Sequence, residues 1–117
     1  MININVAQVE AAKLYLPELY IKMNAAISKV EVLSDYLKEF VKGAETPEML
    51  NFGDRAFYKG RLEKECNSVL YYICCFSSKL THNGQPAIID KHVDFKEKDE
   101  VVESVLLFIK QFRKSGD

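Results

Sequence analysis

The sequence predicts an all-α protein: a single-domain, elongated bundle of four main helices over residues 1–117, with the third helix central. Three observations predict it. Leu19, Met23, Ala26, Val30, Leu33, Leu37 and Phe40 fall at alternating spacings of four and three, one face of a long helix. Leu62, Cys66, Val69, Ile73, Phe76 and Leu80 repeat that spacing in a second one. In the middle of the second stretch, Val69 to Phe76 (VLYYICCF), apolar character spreads all round, because Leu70, Tyr71, Tyr72, Cys74 and Cys75 fill positions that are polar elsewhere. A helix apolar on every side is enclosed there, by its own fold or by a partner.

Taken in order, Ile2, Ile4 and Val6 alternate as a short strand would, but no second convincing strand is available to pair with them. Asn5 followed by Gln8 forms a capping-box pattern, so a helix is expected from about 5 to 16. Pro17 ends or kinks that helix. Val9, Ala12, Leu16 and Leu19 keep register through the proline, so the first two helices are expected to be nearly collinear, kinked at Pro17.

The second helix runs from Glu18 to about Lys42, with Tyr20, Ile27 and Val41 widening its apolar stripe. Lys38 and Lys42 suit its negative end, Gly43 is a natural cap, and the opposite face (Asn24, Ser28, Glu31, Asp35, Lys38) reads as solvated. Thr46-Pro47-Glu48 predicts a single turn. The third helix restarts with Asp54 as N-cap and stops at Asn83-Gly84. Gly60 inside it suggests a close helix–helix approach or a slight bend.

Residues 84–97 read as an extended connection pinned by Ile88, Ile89, Val93 and Phe95. A connection that long in a compact domain is often functional or mobile. The last helix spans about Lys98 to Lys114, acidic at its start and basic at its end, as the helix dipole favours. The second helix is expected antiparallel to the third, with the last helix packed on both.

Bulk composition excludes more than it selects. Sixteen basic against seventeen acidic residues leave a net charge of -1, with no global field to draw nucleic acid or an anionic membrane. The N-terminus lacks a basic segment before an apolar run, and no apolar run approaches a membrane span, so a cytoplasmic protein is expected. Cys66, Cys74 and Cys75 are an odd set on one helix, read as reduced thiols.

Catalytic chemistry finds little support. His82 and His92, with Asp90 or Asp94, could form a metal site, but their spacing matches no recurrent ligand pattern. Cys66 sits on the apolar seam, and Cys74 and Cys75 have no neighbouring base in sequence, with Cys75 the most reachable. Glu31, Asp35 and Glu39 align but are interleaved with Lys38 and Lys42, as on a solvated face. Arg55, Lys59, Arg61 and Lys64, with Phe57 and Tyr58 among them, form a modest basic-aromatic patch diluted by Glu63 and Glu65.

Small helical bundles of this size include the HEPN ribonucleases, whose active motif is an arginine followed about four to six residues later by histidine. Arg55, Arg61 and Arg113 have no histidine at that distance, so any likeness is one of architecture only. No cofactor, metal or enzymatic activity is expected.

The function expected is therefore a small non-enzymatic protein-binding module, of inhibitor, immunity, chaperone or adaptor type, acting through a helical surface. Tyr71, Tyr72 and Cys75 carry that expectation as the contact for a partner or for a second copy, with Tyr36 and Tyr58 extending it. The rivals are a metal-binding or enzymatic domain using the His82–His92 loop, and a weak nucleic-acid binder using Arg55 to Lys64.

Overall fold

The computed structural model describes residues 1–42, 52–89 and 92–115. Four helices account for most of them: α1 (Val6–Ala12), α2 (Pro17–Lys42), α3 (Phe52–His82) and α4 (Lys98–Ser115). The molecule measures 54 × 30 × 20 Å, the elongated bundle the two long apolar seams call for. Among the described residues no helix is long and apolar enough to cross a membrane.

α2 and α3 pack antiparallel over their length. The Tyr20 ring lies 6.4 Å from that of Phe76 at one end of the pair, and Tyr36 stacks on Tyr58 at 5.2 Å at the other. Between them Met23, Ile27 and Val30 of α2 meet Cys66, Val69 and Ile73 of α3 in one core, all fully buried. α4 starts beside α3, where Lys98 reaches Glu63 at 3.9 Å, and ends against α2. There the Phe112 ring sits 6.2 Å from Tyr20, and Arg113 donates to Glu31 at 2.8 and 3.2 Å. α3 therefore touches each of the other helices and is the central one.

The first helix is shorter than its pattern suggests. Asn5 does cap α1, accepting the Gln8 N–H at 3.3 Å, but α1 ends at Ala12. Lys13, Leu14 and Tyr15 then donate three residues back, to Glu10, Ala11 and Ala12, a tightened turn. The physical reason is Pro17: it supplies no N–H, and it disfavours helical geometry at Leu16. The break is bridged by the Tyr20 hydroxyl, which donates to Glu10 at 2.9 Å.

The alternation of Ile2 and Ile4 marks extended chain after all. Ile4 forms an isolated antiparallel bridge with Ile89, and the Asn5 N–H donates to the Ile88 carbonyl at 3.0 Å. Ile88 is buried, its own N–H satisfied by Ser77 Oγ at 3.0 Å, and Ile89, Val93 and Phe95 pack against the core as expected. The N–H of Ile2 donates to Ser104 Oγ at 3.0 Å, which accounts for the one polar residue in the core of α4. The pairing partner of Ile4 is thus the connection itself, through one isolated bridge and not a strand.

Two further expectations change. Asp54 lies within the first turn of α3, which begins at Phe52, and is not its N-cap. Gly60 marks no close approach: a Cβ built there meets nothing within 4 Å. The outer side of α2 is polar as expected, with Ser28, Asp35 and Lys38 exposed and Asn24 and Glu31 half-buried, but Ile21 and Val32 also stand 68% and 60% exposed there. The stop at Asn83-Gly84 is as expected. Gly84, at φ 78°, closes a Schellman motif in which Gln85 N donates to the Leu80 carbonyl at 2.8 Å and Gly84 N to that of Thr81 at 3.0 Å. The turn at Thr46-Pro47-Glu48 and the Gly43 cap lie outside the described residues.

Candidate functional site: the outer face of α3

Val69, Leu70, Ile73 and Phe76 are fully buried and fix the rotation of α3 about its axis. At about 100° per residue, that rotation aims Tyr71 away from the core. Tyr71 is accordingly 60% exposed at the centre of the helix. Tyr72 is half-buried and packs on the core, its ring 6.2 Å from that of Tyr71 in an edge-on arrangement at 64°. Cys75, one turn on, is half-buried. These three residues of the expected contact stand together.

A depression of about 430 Å³ opens beside Tyr71, lined by Lys64, Asn67, Ser68, Tyr72 and Phe95. A second one, of about 330 Å³, continues along α3 past Cys74, Ser78 and Thr81, walled by Ile89, His92 and Val93. Phe95 borders both, and each is a trough between α3 and the returning connection. The connection thus has a part in the surface as well as in the core.

Tyr36 and Tyr58 belong to a different group. They stack on each other where α2 meets α3, with planes 28° apart, and Phe57 meets Tyr58 edge-on at 5.3 Å. Tyr58 and Tyr71 are thirteen positions apart, about 20 Å along the helix and on different sides of it. Phe57 links the groups: it is exposed, carries the Arg61 guanidinium 5.9 Å from its ring centre, and lies on the same side of α3 as Tyr71.

The basic patch divides likewise. Lys59 turns toward α4, where it shares a depression with Asp99 and Glu103. Arg61 and Lys64 stay on the outer side and are exposed. Glu63, which in sequence dilutes the patch, pairs with Lys98 on the α4 side and leaves the outer side. Positions 57, 61, 64, 68, 71, 75, 78 and 82 consequently form an unbroken four-three stripe without an acid. Sequence reading missed this stripe because it sorted residues by neighbourhood in the chain and not by helix face. The spacing was the signal that could have found it.

The remaining candidates fall elsewhere. His82 is exposed at the end of α3 and His92 in the trough wall, and Asp90 lies outside the described residues. Among the described residues no three His, Cys, Asp or Glu side chains gather as a metal site would require. Burial pushes the Cys66 thiol up to about 12, with Glu65 and Glu63 adding to it. Burial and then Cys75 raise that of Cys74. Both are held as neutral thiols, the form that is a poor nucleophile.

No protein-family profile, curated protein or solved structure matches this chain.

Proposed function

We propose that this chain is a non-enzymatic protein-binding module whose contact surface is the outer face of α3, centred on Tyr71. The observation that carries this reading is the 60% exposure of Tyr71 in a stretch whose neighbours Val69, Leu70 and Ile73 are fully enclosed. A tyrosine on a rotationally fixed helix loses little conformational freedom on binding, which is why tyrosine is favoured as an interface anchor. Burying on the order of 100 Å² of its ring is worth ~2.5 kcal/mol. One ring does not hold a partner, but the surroundings add to it: the edge-on Tyr72, the adjoining depression, and Phe57 about 21 Å along the same face.

The size of the face bounds the strength. From Phe57 to His82 it runs about 37 Å, and a helix with side chains is about 10 Å across, giving roughly 400 Å² of projected surface. That is small for a stable complex and suits a contact of about micromolar affinity. Inhibitor, immunity, chaperone and adaptor roles all accommodate it.

The test is affinity capture from cells that express the chain naturally, comparing wild type with Tyr71→Glu. A discrete protein retained by wild type and lost with Tyr71→Glu, while both variants keep the same unfolding midpoint, supports the reading. Retention of the same partners by both contradicts it.

A further inference from the structure

We infer that the segment seated on the outer face of α3 is an acidic amphipathic helix of a partner protein. The inference rests on the proposed function and names the chemistry of its partner.

Shape comes first. Phe57, Arg61, Lys64, Ser68, Tyr71 and Cys75 keep the alternating four-three spacing of a coiled-coil seam. A second helix laid along α3 presents side chains with that same period, so each position of the stripe faces a matching one across the contact. The two exposed rings, Phe57 and Tyr71, are fourteen residues apart, two heptads, and so recur in phase with apolar residues of such a helix. The depression of about 430 Å³ beside Tyr71 accepts an apolar side chain from it, since on the order of 150 Å³ holds a benzene ring. The small side chains Asn67 and Ser68 line that depression and leave it open.

Charge selects among the helices that fit. Arg61 and Lys64 lie between the two rings, and no Asp or Glu occupies the stripe. Glu63 turns toward Lys98 of α4, 3.9 Å away. The acid beside the stripe is the half-buried Glu65, one turn from Arg61, so the two cations face one carboxylate at the edge of the stripe and none within it. The complement is a helix with carboxylates between its apolar positions. A second copy of this chain supplies no carboxylate to the stripe: paired in parallel it sets Arg61 and Lys64 against the same cations, and paired antiparallel about Tyr71 it sets them near Ser78 and His82. A nucleic-acid duplex fits poorly as well: over 37 Å each strand carries about eleven phosphates at 3.4 Å spacing, against two fixed cations here.

The experiment is an NMR titration of the isotope-labelled chain with a synthetic 21-residue helical peptide. The peptide carries leucine at the two core positions of each heptad and glutamate at the flanking ones. Two controls are run in parallel, the same peptide with lysine for glutamate, and a 12-base-pair DNA duplex. Amide shifts confined to the stripe from 57 to 78, with binding at least about fivefold weaker for the lysine peptide and for the R61E/K64E double variant, are the expected result. Three results overturn the inference: no shift at millimolar peptide, equal binding of the two peptides, or preferential binding of the duplex. Equal binding that maps to Tyr71 removes the acidic partner but leaves the protein-binding face standing. Shifts that map to Ile21 and Val32 on α2 remove both.

Discussion

Leu70 and Tyr71 are neighbours in the chain with opposite environments, the first 0% and the second 60% exposed. The contrast separates what the apolar belt of α3 does for the fold from what it offers to a partner. Leu70→Ala should cost about 2–5 kcal/mol, the range for truncating an enclosed leucine. Tyr71→Ala should change stability by less than about 0.5 kcal/mol, as surface substitutions do. Urea unfolding of the two variants checks this directly. A loss above 2 kcal/mol for Tyr71→Ala would mean that the ring serves the core.

Gly60 and Gly84 give opposite signs. Gly60 lies inside α3 with open space about its Cα, so Gly60→Ala should stabilise by about 0.5–1 kcal/mol through helix propensity and a stiffer unfolded chain. Gly84 has equally open space but a φ of 78°, so Gly84→Ala should destabilise by about 1 kcal/mol. Thermal unfolding of both variants against wild type checks the pair.

Much of this architecture is legible in the sequence, because the seams of α2 and α3 are long and local. Their periodicity, the Asn5 cap and the Gly84 stop were readable from residues a few positions apart. What escaped depends on residues distant in the chain. Ile4 finds its bridging partner at Ile89, and Glu63 finds Lys98 on a helix that starts thirty-five residues later. The exposure of Ile21 and Val32 on the polar outer side of α2 escaped for another reason: they are single apolar residues among polar ones, and no periodic run announces them. At the candidate site, Tyr71, Tyr72 and Cys75 could be placed together from helix geometry. The separation of Tyr36 and Tyr58 from them needed the same count of degrees carried further along the helix.

Stability should fall in alkali. The Cys66 thiol is pushed up to about 12 by burial, and the Tyr20 hydroxyl also to about 12, by burial first and then by its bond to Glu10. The unfolded chain releases these protons near pH 8.5 and 10. Both folded-state values are raised, so the unfolded state binds fewer protons in between, and stability present below about pH 8.5 declines as pH rises toward 12. Urea midpoints from pH 8 to 10.5 should fall for wild type and fall less steeply for Cys66→Ala. A flat profile would contradict the buried, neutral state of Cys66.

The ion pair between Arg113 and Glu31 should matter little despite its 2.8 Å contact. Both side chains are more than two-fifths exposed, so solvent screens the pair. A double-mutant cycle with Arg113→Ala and Glu31→Ala should give a coupling of about 0.2–1 kcal/mol, shrinking in 0.5 M salt. The docking of α4 rests instead on Val101, Val105, Phe108 and Phe112, all buried. A coupling above 2 kcal/mol would reverse that assignment.

The central claim is that partners meet the outer face of α3, and the most direct measurement is site-by-site photo-crosslinking in cells that express the chain naturally. A photoreactive phenylalanine analogue is placed in turn at 57, 64, 71 and 78 on α3, and at 21 and 32 on α2. The account predicts one shared adduct from the α3 positions, strongest at 71, and none from the α2 positions. Adducts from 21 and 32 with none from 71 would contradict it and move the working surface to α2.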